Sequence, residues 1–122
     1  DLDAGTETII GVSRDPQFGP LVMFGLGGIF VEVMEDTAFR VAPVAEPEAS
    51  EMLDEIKSAP LLSGARGRTP ADKRALVETI QRLSQLVTDF PAISELDINP
   101  VVAQPDGAIA VDLRLTLDQE EL

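Results

Sequence analysis

Asp97, Asn99 and Asp112 are the side chains of this sequence best suited to gripping a hard cation. They lie in ELDINPVVAQPDGAIAVDLRLT, residues 95–116. Within it, Gln104-Pro105-Asp106-Gly107 is a turn signal: proline presets φ at the second position, and Asp and Gly follow where turns favour them. With Pro105 and Asp106 at the tip, the flanking segments pair as a hairpin in which Asn99 faces Asp112 and Asp97 faces Arg114. Directly opposed residues on antiparallel strands bring their Cβ atoms to about 4.5–5.5 Å. Two oxygen-bearing side chains at that separation can share one cation, whose ligand distances are about 2.0–2.1 Å for Mg²⁺. The same pairing puts Leu96, Ile98, Pro100 and Val102 on one face with Ile109, Val111, Leu113 and Leu115. Glu95, Asp97, Asn99, Asp112 and Arg114 then share the other. A charge ladder on a solvated sheet face explains such acids without a ligand; the asparagine fixed before a proline, with acids flanking and facing it, favours the metal.

Other segments carry weaker chemical signals. Gly25-Leu26-Gly27-Gly28 invites a phosphate-loop reading, but it lacks a P-loop lysine and the Rossmann spacing. Glycines that permit a bulge or a close backbone approach are the simpler explanation. Glu32, in an apolar strand four residues beyond Gly28, is either a solvated strand residue or part of a site. Arg66 and Arg68, in a glycine-containing loop before a helix, could grip an anion; arginines at such places are also ordinary surface. Asp15 is a turn former.

Several elements must position these groups. Thr6 to Val12, Pro20 to Phe24, Ile29 to Met34 and Thr37 to Ala42 read as strands of an antiparallel meander, with Glu35-Asp36 as a turn. Ala49, Met52, Leu53 and Ile56 fall at helical spacing, predicting a helix from Pro47 to Ala59 that Pro60 ends. A second helix is expected to start with Thr69 as N-cap and Pro70 at its first position, and to bury Leu76, Ile80, Leu83 and Val87. The hairpin completes an α+β domain: an antiparallel sheet with two helices on one face.

Composition narrows the chemistry further. The 122 residues are 44% hydrophobic, which fits one globular domain or part of one. With no histidine and no cysteine, imidazole, thiolate and disulfide chemistry must come from elsewhere. A formal charge of −13, from 9 basic and 22 acidic residues, provides no footprint for nucleic acid or for an anionic membrane. The acid-rich, lysine-poor balance suits a protein that stays soluble in high salt, and equally an ordinary acidic cytoplasmic protein. No apolar run reads as a transmembrane helix and no leader as a signal peptide, so a cytoplasmic location is expected.

DPQFGPLVMFGLGGIFVEVMEDTAFRVAP, LLSGARGRTPADK and ELDINP together resemble the ATP-grasp domain of nucleoside-diphosphate-forming acyl-CoA synthetases. That family includes ADP-forming acetyl-CoA synthetases and succinyl-CoA synthetase β chains. The GLGGIFVEV form is closer to the acetyl-CoA branch, and to protein acetyltransferases fused to such a module. The resemblance implies that residues 1–122 are the second, C-terminal subdomain of an ATP-grasp fold, on the nucleotide-Mg²⁺ side. By the same resemblance Asn99 and Asp112 bind the Mg²⁺ of ATP or ADP, and Asp97 assists phosphoryl transfer to and from a histidine loop. Gly27, Gly28 and Glu32 match a motif near the phosphate site.

The implied partners are the rest of the ATP-grasp domain and a CoA-binding domain or subunit bearing the phosphohistidine. The implied reaction is acyl-CoA + ADP + phosphate ⇌ carboxylic acid + CoA + ATP. The residues that contact the base are expected upstream, so this chain alone is expected to be inactive. Two further readings are a nucleotide- or acyl-CoA-sensing module of a protein acetyltransferase, and a plain interaction domain.

Overall fold

The computed structural model describes residues 5–27, 36–64, 67 and 70–118. Among them the chain forms β1 (Thr6–Asp15), β2 (Gly19–Leu26), β3 (Thr37–Val41), α1 (Glu46–Glu55), a one-turn helix α2 (Ala59–Leu62) and α3 (Lys73–Asp89). It ends with β4 (Ile93–Gln104), β5 (Gly107–Ala110) and β6 (Leu113–Leu117). The strands make one six-stranded sheet in the order β3-β2-β1-β4-β5, with β6 also paired to β4. Every pairing is antiparallel. The α+β expectation holds, with the one-turn helix added to the two expected ones. The expected strand over Ile29 to Met34 lies outside the described residues.

Alternation along the strands decides which face is covered. Ile10 and Val12 on β1, Val22 and Phe24 on β2, and Leu96 and Ile98 on β4 join the core with Met52, Leu53, Leu76, Ile80 and Val87 from the helices. Residues of opposite parity face away from the helices, as strand geometry requires. Both expected helical stripes are buried, but the helix boundaries differ. α1 stops at Glu55, and Pro60 sits in the first turn of α2 instead of ending α1. The α3 N-cap is Asp72, whose Oδ1 accepts from the Ala75 N–H at 3.0 Å. A carboxylate three residues later than Thr69 caps the helix instead, and Thr69 itself lies outside the described residues.

Arg14, and Asp36, which the sequence marked only as part of a turn, tie the helices to the sheet. Arg14 donates from Nε to the Ile93 carbonyl at 2.7 Å, and from Nη2 to the carbonyls of Val87 at 2.8 Å and Phe90 at 3.3 Å. It thereby satisfies the open carbonyl end of α3. Asp36 is buried, and both its oxygens are taken: Oδ1 by the Lys57 N–H, Oδ2 by the Ser58 N–H at 2.8 Å and by the Ser58 hydroxyl. It holds the chain that enters α2. Asp15 is the turn former expected of it, its Oδ1 accepting from the N–H groups of Gln17 at 2.7 Å and Phe18 at 3.0 Å.

Candidate metal and phosphate site

The hairpin register is the one the Pro105-Asp106 tip dictates. Val102 pairs with Ile109, Ile98 with Leu113, Asp97 with Arg114 and Leu96 with Leu115. Asn99 stands opposite Asp112, its N–H donating to the Asp112 carbonyl at 3.0 Å, while the Val111 N–H reaches the Pro100 carbonyl at 3.0 Å. Pro100 has no N–H to give, so the outer strand is interrupted here and divides into β5 and β6.

A bulge on the β1 side of the same point changes the expected faces. Thr8 pairs with Val101, but Ile10 pairs with Ile98, so Ile9 alone spans Asn99 and Pro100. The Thr8 hydroxyl, fully buried, donates to the Val101 carbonyl at 2.7 Å across this irregularity. Beyond it the parity of β4 inverts. Leu96 and Ile98 face the core, but so do Val101 and Ala103, while Val102 leaves that cluster. The single greasy face expected from Leu96 to Val102 is therefore split. Its outer half is uncovered as well, with Ile109, Val111, Leu113 and Leu115 each about half exposed.

The polar face survives intact. Asp97, Asn99, Asp112 and Arg114 together line one cavity of about 170 Å³ on the side of the sheet away from the helices. Asn99, Asp112 and Arg114 are exposed and Asp97 is half-buried. Ion pairs occur elsewhere among the described residues, as between Arg40 and Glu55 at 2.6 Å, but none ties these four side chains together. Among the described residues no ion pair engages their oxygens or guanidinium.

The donor set is an amide oxygen with carboxylates, which suits Mg²⁺ or Ca²⁺ and not a thiophilic metal. Among the described residues no group of three or more Asp, Glu, His or Cys converges as a cage. A cation carried by a nucleotide takes one or two protein oxygens and fills its sphere with phosphates and water.

Of the remaining sequence candidates, Gly27 is held against β1, its N–H donating to the Glu7 carbonyl at 2.8 Å. A Cβ there would lie 3.1 Å from that of Glu7, so close approach of two backbones accounts for this glycine. It is not among the residues lining the cavity. Gly28, Glu32, Arg66 and Arg68 lie outside the described residues. Sequence reasoning passed over a second feature: a groove of about 300 Å³ that shares Asp97 with the cavity and runs over Gly11 toward Leu21, Met23 and Phe39. Its available signal was the interior glycine of the β1 strand, a position that favours close approach of another chain or ligand.

A family model described as an ATP-grasp domain matches residues 2–117. The chain is 53% identical over 116 residues to subunit beta of the ADP-forming acetate–CoA ligase I of Pyrococcus furiosus, covering 95% of this chain and 50% of that subunit. It is 52% identical over 106 residues to the ADP-forming 4-hydroxybutyrate–CoA ligase of Nitrosopumilus maritimus, covering 87% of this chain and 15% of that protein. Among solved structures it is similar to the dinucleotide-forming acetyl-coenzyme A synthetase 1 of Ca. Korarchaeum cryptofilum. The TM-score is 0.89 at 49% identity, over 93% of this chain and 53% of that one. That structure is a complex with coenzyme A and Mg-AMPPCP, its phosphohistidine segment pointing towards the nucleotide binding site. The chain thus spans about half the length of the P. furiosus subunit, or less of the larger relatives. These relatives are named as acid–CoA ligases and lend no support to a sensing module of a protein acetyltransferase.

Proposed function

The chain belongs to the ATP-grasp family, and from that premise we propose that it is the second subdomain of the ATP-grasp part of an ADP-forming acid–CoA ligase. The whole enzyme would interconvert acyl-CoA, ADP and phosphate with the acid, CoA and ATP. The observation that carries this reading is the shared cavity of Asp97, Asn99, Asp112 and Arg114. It brings oxygen groups that suit a Mg-nucleotide beside a guanidinium that suits a phosphate.

Asn99 Oδ1 and the Asp112 carboxylate are the groups that would hold the nucleotide's Mg²⁺. When bound there, the ion would neutralise charge on the phosphate oxygens. Arg114 can donate to a phosphate oxygen from its guanidinium. The acceptor must come from a partner domain or subunit, because this chain has no histidine. The partner's neutral imidazole attacks the γ-phosphorus through its unprotonated nitrogen. An N–P bond forms as the P–O bond to ADP breaks, and ADP leaves. Asp97 orients the ring by accepting from its remaining N–H, and the reverse sequence makes ATP. Gly27, Gly28 and Glu32 are assigned near the phosphates by the family motif alone.

The test is Mg-ATP labelling of the full-length protein with its partner. The unsubstituted protein should form an acid-labile phosphohistidine that CoA and acetate discharge, and Asp112→Ala should lose it. Undiminished labelling in Asp112→Ala would reject the metal assignment.

A further inference from the structure

Packing gives Gly11 no reason to be glycine. It is buried in the interior of β1, where a residue without a side chain weakens a strand. Gly19 and Gly107 have φ of 84° and 153°, conformations that an L side chain resists. A Cβ at Gly5 would collide with Val102 Cγ1. Neither reason holds at Gly11, whose φ is outside the left-handed region. A Cβ there would find Asp97 Oδ1 and the Leu96 carbonyl at 3.5 Å and Met23 Cε at 3.8 Å, which are ordinary contacts.

The charged atom beside that position points to another reason. Asp97 has a cross-strand partner on either side, Gly11 on β1 and Arg114 on β6. Directly opposed residues on antiparallel strands hold their Cβ atoms about 4.5–5.5 Å apart, and opposite charges so placed attract. An ion pair between Asp97 and Arg114 is the default outcome of this register. It does not form: the ion pairs among the described residues join Arg40 to Glu55, Lys73 to Asp54 and Arg74 to Glu78. The Asp97 carboxylate leans over β1 instead, toward the room that Gly11 leaves. The groove over Gly11 is that room. Asp97 and Arg114 still line one cavity with Asn99 and Asp112, so both charges face it without cancelling each other.

We propose that Gly11 is a positioning residue that keeps Asp97 and Arg114 apart, by giving the carboxylate a place away from its cationic partner. The proposal rests on the phosphoryl-transfer reading given above, in which Arg114 meets a phosphate oxygen and Asp97 accepts an N–H. It adds the residue that leaves both groups available for those tasks. A β-branched side chain at position 11 would carry its branches beyond Cβ into the place of Asp97 Oδ1 and drive the carboxylate across β4 onto the guanidinium. The phosphate would then have to displace a carboxylate to reach Arg114, and the Asp97 oxygens would be taken. The methyl group of alanine stops short of this.

The experiment compares Gly11→Ala, Gly11→Val, Arg114→Gln and the double variant Gly11→Val/Arg114→Gln with the unsubstituted full-length enzyme and its partner. It measures Mg-ATP affinity by calorimetry and the phosphorylation rate at saturating nucleotide by rapid quench. Gly11→Ala should stay within about twofold in both. Gly11→Val should bind Mg-ATP about tenfold more weakly, as expected when one charge-assisted hydrogen bond is lost, and be phosphorylated about a hundredfold more slowly. In Arg114→Gln no cation remains to capture the carboxylate, so adding Gly11→Val should weaken affinity by less than about twofold more. Unchanged affinity in Gly11→Val would overturn the proposal while leaving the function intact. The same tenfold loss in the Arg114→Gln background would overturn it by showing that the valine acts on the nucleotide directly. A Gly11→Val protein that fails to fold would overturn it by giving the glycine a packing reason. No phosphohistidine in the unsubstituted enzyme would overturn the function, and this inference with it.

Discussion

Two acidic regions of this molecule use the same functional group in opposite ways. Asp36 is buried, and all the acceptor capacity it turns inward is met by two backbone N–H groups and one hydroxyl. Asp97 and Asp112 open onto a cavity with Asn99 and Arg114, and no described neighbour occupies their oxygens. Burial alone raises the Asp36 carboxyl, but the hydrogen bonds from Ser58 and Lys57, with the Lys57 charge, outweigh it and bring the net value below the ordinary one. Such an acid holds the fold together. An acid left without partners beside an amide and a guanidinium is free for a ligand. On the function proposed above, the contrast separates structural from chemical carboxylates where net charge cannot.

The sharpest break of this comparison exchanges the consequences of substitution. Asp97→Asn in the full-length enzyme is expected to slow histidine phosphorylation by about 10²–10⁴, the usual range for a residue handling a proton or orienting a base. Its unfolding midpoint should barely move. Asp36→Ala should do the reverse. Leaving buried N–H donors without acceptors costs about 1–3 kcal/mol for each group, so a loss on the order of 2–4 kcal/mol is expected in urea unfolding. Phosphorylation below the lowered midpoint should be retained. A catalytic defect at Asp36 with unchanged stability would invert the assignment.

Acid titration sharpens the same difference. Folding lowers the Asp36 pKa, so the unfolded chain takes up that proton first as the pH falls. The stabilisation is complete above the unfolded value, roughly 3.9, and is lost as the pH drops from there through the lowered folded value. Unfolding free energy should therefore fall more steeply below about pH 4 in the unsubstituted protein than in Asp36→Ala. Parallel acid limbs would contradict the role given to Asp36. The smallest effect is expected at Arg40. Its hydrogen bond to Glu55 lowers the Glu55 pKa, but the pair stands partly in water. Arg40→Gln should shift stability by less than about 1 kcal/mol in the same unfolding assay.

What the sequence could disclose followed the range of the interactions. The register pairing Asp97 with Arg114 was legible because a local turn at Gln104 to Gly107 sets it. The stripes of α1 and α3 were legible because helical spacing is local too. The bulge at Asn99 and Pro100 was not, since it depends on how β4 meets β1, a strand some ninety residues earlier, where Thr8 and Val101 join. Asp36 and Arg14 were missed for the same reason: their partners lie 21 or 22 residues away for Asp36 and 73 to 79 for Arg14. The cap of α3 was misplaced because Thr69 and Asp72 are both competent caps, and only the backbone path selects Asp72. The exposed Leu113 and Leu115 show that an apolar pattern states a preference for burial without supplying the cover.

The magnesium dependence of ATP binding tests the joint grip of Asn99 and Asp112 most directly. Calorimetry on the full-length protein, with and without Mg²⁺, should show tighter ATP binding with the ion in the unsubstituted protein. In Asp112→Asn most of that gain should be gone, with the metal-free affinity unchanged. Full magnesium enhancement in Asp112→Asn would contradict the account.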